Sequence, residues 1–354
     1  MRVGFNYPWA FDDYGFNFGP RSNIAKWSTT LPANLATLSS LGVSVVRWFI
    51  LGNASNYGPT PVQVVKDGKT TFSFDPPTKA DPTFFEHFRL MLTIFKNFRD
   101  TQKDVQDKMQ LIPSFVDFGL AMDIKTNTGG SGRIDLIEDS AKRDHFFGTM
   151  LDPMLDVARE GAFKDVIFAF EVMNEPIWLI VPIAKPVYQD NKFHGSKVDP
   201  PSRVHDFLRT ALDHIKKAQL PSTVGHRFSD DLISDMPGDC LGTIPQFHYY
   251  PRSFGPFRTI PFTDAVSLPA FSKINAILGE FSTRDDQEQG GPWNDCNGTD
   301  TTPFGTVHER LVVAEKKGYQ LAMPWPNLAD DGKDSLKLSP IKQQAIRVFK
   351  QTHK

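Results

Sequence analysis

Two glutamates stand where an otherwise apolar sequence gives them no evident structural use. The first is Glu175, in Phe170-Glu171-Val172-Met173-Asn174-Glu175-Pro176, where an apolar run ends abruptly in an amide, a carboxylate and a proline. Pro176 disfavours right-handed helical geometry at the residue before it, so the chain must turn away at the carboxylate. The second is Glu280, the single acid in Ala276-Ile277-Leu278-Gly279-Glu280-Phe281-Ser282. A carboxylate buried there without a partner would be costly, so something must compensate it or use it. Two carboxylates brought together by a fold are what acetal hydrolysis needs. One protonates the leaving oxygen, and the other attacks the anomeric carbon or stabilises charge on it. Retaining chemistry places the carboxyls about 5–5.5 Å apart and inverting chemistry about 6.5–9.5 Å, a gap no sequence can measure. An Asn-Glu-Pro tripeptide alone is a weak signal, and its place after an apolar run, matched by Glu280, is what gives it weight. Glu171, on the same run, reads as a structural acid paired with an arginine or lysine.

The elements that must position these acids follow from the apolar pattern. Eight strand-type runs recur, at Val3–Tyr7, Val43–Ile50, Met109–Val116, Val166–Met173, Thr223–Phe228, Gln246–Tyr249, Ile274–Phe281 and Tyr319–Trp325. Several are nearly continuous in apolar residues, as strands covered on both faces should be. Helix-type stretches separate them, at Asn34–Leu41 (closed by Gly42), from Asp81-Pro82 onward, and at Asp139–Arg159, Ser202–Ala218, Val307–Lys317 and Pro340–Lys350. The connection Ser229–Asp239 is too short for a full helix. Eight strands alternating with helices over 354 residues predict an α/β fold, a closed (β/α)₈ barrel forming one domain over residues 1–354. Glu175 and Glu280 then end strands four and seven, across the barrel mouth. Long polar loops, Asn53–Lys79, Ile177–Val198 and Thr283–Thr302, follow strands two, four and seven on the same face.

Composition sets outer bounds. A net charge of −2 gives no electrostatic case for nucleic acid or an anionic membrane. No stretch reaches about 18 uncharged apolar residues, so no membrane-spanning helix is expected. The two cysteines, Cys240 and Cys296, cannot build a staple framework or a four-thiolate zinc site, and free thiols are the expectation. The chain opens directly on strand-like sequence, which points to the cytoplasm if it is complete and to secretion if a leader was removed. A monomer is expected.

With those residues in place, the chain resembles the clan A glycoside hydrolases, with family 5 and its relatives the closest type. Asn174-Glu175-Pro176 and Gly279-Glu280-Phe281 carry the resemblance, which spans nearly the whole chain. It implies that Glu175 is the acid/base, that Asn174 binds the sugar 2-hydroxyl and that Glu280 is the nucleophile. Arg47, in Val45-Val46-Arg47-Trp48, resembles the arginine that keeps the nucleophile ionised. His248 and Tyr250, in Phe247-His248-Tyr249-Tyr250-Pro251, resemble the His-x-Tyr of strand six, whose tyrosine donates to the nucleophile. Trp325 resembles the strand-eight tryptophan that floors the sugar subsite, where an indole can stack on sugar C–H faces. Many family 5 enzymes carry a histidine at the end of strand three, where this chain has Asp117.

The implied function is a retaining glycoside hydrolase acting on a β-linked glucan, mannan or related oligosaccharide, with no cofactor and no metal. Trp9 and Trp178, and Trp293 with them, are further candidate sugar platforms on loops, each as readily explained by loop packing. Two alternatives share the residues: a transglycosylase and a carbohydrate-binding barrel without catalysis. A metal-dependent barrel enzyme is disfavoured because no His-x-His or carboxylate cluster is evident at strand ends. The acidic pairs Asp12-Asp13, Asp230-Asp231, Asp285-Asp286 and Asp330-Asp331 read as solvated loop ends.

Overall fold

The computed structural model describes residues 1–8, 17–20, 22–54, 57, 62–66, 69–73, 80–104, 107–121, 132–180, 198, 200–227, 237–249, 262, 266, 275–282, 305–325 and 340–353. Eight parallel strands close into a barrel: β1 (Arg2–Asn6), β2 (Val43–Phe49), β5 (Gln110–Asp117), β6 (Phe170–Asn174), β7 (Ser222–His226), β8 (Gln246–Tyr249), β9 (Ile277–Ser282) and β10 (Leu321–Trp325). Each of the eight expected runs contributes one strand. β3 (Val62–Lys66) and β4 (Lys69–Ser73) form a separate antiparallel pair. They fall inside Asn53–Lys79, expected from sequence to be a polar loop. In the sequence, Asp67-Gly68 separates the two.

Helices surround the barrel. They are α1 (Ile24–Ser40), α2 (Pro82–Thr101), α3 (Asp135–Glu138), α4 (Ser140–Phe146), α5 (Asp152–Arg159), α6 (Ser202–Lys217), α7 (Gly305–Lys316) and α8 (Pro340–Thr352). Asp81 caps α2 by accepting from the Thr83 amide at 2.9 Å, with Pro82 opening the first turn where its missing N–H costs nothing. The buried face of α2 is Phe84, His87, Phe88, Met91, Leu92 and Phe95, the spacing of one helical stripe. α4 and α5 are joined by a π-helical turn, Phe147–Leu151, within the single helix expected over Asp139–Arg159. α1 begins ten residues before the expected Asn34, because Pro32 lies inside the helix and reads as a break in the sequence. Trp27 and Leu31 on the early turns bury the same face as Leu35 and Leu38.

All seven residues of β2 are buried, as a strand covered on both faces requires. The barrel interior is layered. Val45, Ile112, Ile277, Leu321 and Met323, from β2, β5, β9 and β10, form a small apolar cluster of their own, apart from the large core between strands and helices. Side chains two residues apart share a strand face, so Arg47 follows Val45 inward. The interior therefore changes from apolar to charged toward the C-terminal ends of the strands. Pro324 sits within β10, where a ladder N–H is lost, and the register with β9 shifts between Ala322 and Pro324. The Asn6 side-chain amide donates to the carbonyls of Gly279 (2.9 Å), Met323 and Pro324 (both 3.3 Å), tying β1, β9 and β10 at that shift. Among the described residues no helix is long and apolar enough to cross a membrane. Cys240 is a buried free thiol, and Cys296 lies outside the described residues.

Candidate active site

The polar interior is organised around Arg47, which is fully buried at the end of β2. Its Nη1 donates to Glu280 Oε1 at 2.6 Å and to Asn6 Oδ1 at 3.0 Å. Nη2 donates to Glu171 Oε1 at 2.6 Å and to Asn174 Oδ1 at 2.7 Å, and Nε donates to Glu171 Oε2. Glu171 thus receives the two-toothed guanidinium contact and is the structural acid expected from sequence. One guanidinium fixes residues from β1, β6 and β9, and the two carboxylates hold its own pKa well above the ordinary arginine value against the cost of burial. Removing it would leave two buried carboxylates uncompensated.

Glu175 follows β6 directly and adopts left-handed backbone geometry, φ 48° and ψ 54°. A non-glycine residue pays for that conformation, and such outliers concentrate at functional sites. Proline at 176 excludes the right-handed helix as expected, and the chain enters a 3-10 turn, Pro176–Leu179. The Glu175 amide donates to Gly225 O at 2.6 Å, which anchors the turn to β7. Its carboxylate is gripped at both oxygens: Oε1 lies 2.9 Å from His248 Nδ1, and Oε2 accepts from Trp178 Nε1 at 2.6 Å. Burial raises the Glu175 pKa, while the Trp178 hydrogen bond and the charges of Arg227 and Arg47 oppose that rise. Glu280 lies beside His248 in the sheet register, with Oε2 3.6 Å from His248 Nδ1. One side-chain ligand atom each of Glu175, His248 and Glu280 lies within 4.8 Å of the other two.

His248 is neutral above pH values of about 4, because burial pushes its pKa down to about 4 despite the nearby Glu280 carboxylate. Gln246 Nε2 donates to Glu171 Oε1 at 3.2 Å and lies 3.5 Å from His248 Nε2. An amide that faces a carboxylate must present its NH₂, so His248 Nε2 is the acceptor and Nδ1 carries the proton toward Glu175 and Glu280. Space for this network depends on glycine. A Cβ at Gly225 would stand 2.3 Å from Glu171 Oε1, 3.0 Å from Gln246 Nε2 and 3.1 Å from His248 Nε2. Gly225→Ala is expected to lose about 1–3 kcal/mol of stability, read from urea unfolding, because neither the paired Glu171 nor Gln246 has room to yield. An unchanged unfolding midpoint would show the interior to be looser than these contacts imply.

The structure therefore brings Arg47, Asn174, Glu175, His248 and Glu280 together. Trp178 joins them through its ring nitrogen. Trp325 ends β10 and packs against Phe49 of β2 with ring centroids 6.4 Å apart, at the edge of the same mouth. Asp117, where many family 5 enzymes carry a histidine, is buried, and its Oδ1 accepts from the Gly119 amide at 2.6 Å, capping the turn after β5. Trp9, Tyr250, Trp293 and the four acidic pairs lie outside the described residues. Sequence reading missed Asn6, Gln246 and Arg227. Each is a polar residue on or just after a barrel strand, the signal that had singled out Glu280. The ligand atoms of Glu175, His248 and Glu280, all three named from sequence, lie close enough together to hold a metal ion. Arg47 stands at 2.6 Å from Glu280 and would repel a dication there, so the cluster fits a proton-handling site better than a metal.

No family model matches the sequence, and no curated protein matches it. Solved structures do match the fold. The β-mannanase of the blue mussel Mytilus edulis superposes with a TM-score of 0.66 at 16% identity, covering 99% of this chain and 92% of the mussel chain. This chain shares its fold with β-mannanases. The endo-1,4-β-mannanase of Eisenia fetida gives 0.65 at 18% identity, covering 98% and 90%. The exo-β-1,4-mannosidase of Opitutaceae bacterium strain TAV5 gives 0.55 at 14% identity, covering 99% of this chain but 59% of the other. The likeness runs through the whole barrel of the present chain.

Proposed function

We propose that the protein is a retaining glycoside hydrolase of the clan A type, acting on β-1,4-linked mannan or manno-oligosaccharides. The observation that carries this reading is the approach of Glu175 and Glu280 oxygens to within 4.8 Å at the mouth of the barrel. An approach that close lies toward the shorter of the two carboxyl separations and suits direct attack by one carboxylate. The substrate class comes from the β-mannanases and the β-mannosidase that share the fold across 98–99% of this chain.

The chemistry follows from the two environments. Glu280, held against the Arg47 guanidinium, attacks the anomeric carbon and forms a glycosyl ester as the bond to the leaving oxygen breaks. Glu175, kept protonated to higher pH by burial, donates its proton to that oxygen. A water then enters, Glu175 takes its proton, and the ester is cleaved with the original configuration restored. The Asn174 oxygen is taken by Arg47, so its NH₂ is the group turned to the sugar 2-hydroxyl. Neutral His248 supplies a proton-bearing nitrogen between the acids without adding charge.

An acid that must be protonated gives a falling limb as pH rises through its pKa. The kcat/KM profile is expected to hold above the ordinary carboxylate range before it falls, and Glu175→Gln should abolish that limb. A limb at the ordinary carboxylate value would contradict the buried acid. The reading itself is tested on a panel of β-manno-, cello- and xylo-oligosaccharides. Release of mannose or short manno-oligosaccharides supports it, with the lengths released separating internal from terminal attack. Longer products alone would identify a transglycosylase, and binding without cleavage would identify a non-catalytic barrel.

A further inference from the structure

Trp178 follows the Asn-Glu-Pro turn and, on a loop at the barrel mouth, invites the role of a sugar platform. Its contacts say otherwise. The indole Nε1–H donates to Glu175 Oε2 at 2.6 Å, and the backbone amide of the same residue donates to Glu175 O at 3.2 Å. Arg227, just after β7, lies over the indole ring with its guanidinium carbon 4.3 Å from the centroid, and is itself 4% exposed. Phe118, from the turn after β5, packs on the indole at 6.3 Å. A cation at that distance from an aromatic face is held by the ring quadrupole, more strongly where water is excluded. β7 also supplies Gly225 O, the acceptor for the Glu175 amide, so backbone and side chain of Glu175 are both tied to one strand end.

We infer that Trp178 and Arg227 are positioning residues for Glu175: Arg227 holds the indole, and the indole holds the carboxylate at the angle at which it meets the leaving oxygen. This assignment rests on Glu175 being the acid/base and adds the device that orients it. The charged and titratable groups facing Glu175 are Arg47 from β2, Arg227 just after β7, His248 from β8 and Glu280 from β9. His226, on the opposite face of β7, has its pKa pushed down to about 3 by burial and by His248. Arg227 and the indole N–H are therefore the groups on this side that favour the charged carboxylate, opposing burial.

The test reads Glu175 directly and needs no turnover. Carbon-13 NMR of protein labelled at glutamate carboxyls follows the Glu175 titration, identified by its loss in Glu175→Gln. Trp178→Phe keeps the ring and removes the donor, and Arg227→Met removes the charge. Each is expected to move the midpoint upward, by roughly one pH unit. Arg227→Lys, which restores the charge, should recover most of the shift. Thermal unfolding of the same samples confirms that the variants are folded. An unchanged midpoint in folded Trp178→Phe would overturn the inference, as would a shift in Arg227→Met that Arg227→Lys leaves fully in place. Hydrolysis by wild type is scored separately, so an inactive protein whose Glu175 still responds would count against the function and leave the clamp standing. With active enzyme, the same variants should lose more kcat on substrates with poor leaving groups than on activated aryl glycosides. A sugar platform would instead raise KM on both.

Discussion

Replacing Glu280 by glutamine is expected to lower kcat/KM by about 10⁴-fold or more while leaving substrate binding nearly intact. The amide keeps the shape of the side chain and can still meet Arg47 through its oxygen, but it cannot form the glycosyl ester. The loss should appear in kcat, because the interaction removed is made in the transition state and not in the ground state. A smaller cavity-forming variant, Glu280→Ala, makes the role explicit. With azide supplied as an external nucleophile it should regain turnover, and attack from the vacated face should give the α-glycosyl azide. Recovery with the β-azide would place the vacated nucleophile on the other glutamate. Stability is a separate readout, since either variant leaves Arg47 with Glu171 as its remaining carboxylate partner.

Glu175→Ala carries the second large effect, and it should depend on the leaving group. General acid assistance contributes roughly 10²–10⁴-fold where the departing oxygen is basic. Oligosaccharide hydrolysis should therefore fall by about that factor. Dinitrophenyl glycosides leave without a proton, so their first step should survive and the glycosyl-enzyme should accumulate as a burst. The second step then lacks its base, and azide should restore it with the β-azide as product. An equal loss on both substrate types would mean that Glu175 serves binding and not proton transfer.

How far these roles could be read from sequence differs by element. The strands were legible because both faces are buried: Val43–Ile50 and Met109–Val116 read as largely apolar runs, and they hold β2 and most of β5. Boundaries slipped where apolar sequence continues past the ladder. The run Val166–Met173 yields β6 only from Phe170, since Ile167 makes an isolated bridge to Leu111 and the residues before it form turns. For β3 and β4 the sequence signal was weaker: an Asp67-Gly68 dipeptide between segments rich in Val and Thr, set among polar neighbours. Glu175 and Glu280 were legible because a charge in an apolar strand needs a reason. What stayed hidden was everything set by the third dimension. Glu171 prefers Arg47 across 124 residues of sequence, His248 reaches back to Glu175 across 73, and a tryptophan three residues from the acid turns its nitrogen onto it. Spacing along the chain carries none of those distances, because barrel closure alone sets them.

The central claim is that Glu175 and Glu280 act as acid/base and nucleophile in a double displacement. Its most direct test is proton NMR of the anomer released in the first minutes from a β-1,4-manno-oligosaccharide, before mutarotation. The β-anomer appearing first is the predicted result and matches carboxylates within 4.8 Å of each other. The α-anomer appearing first would contradict the account, because it would mean direct displacement by water with no glycosyl ester on Glu280.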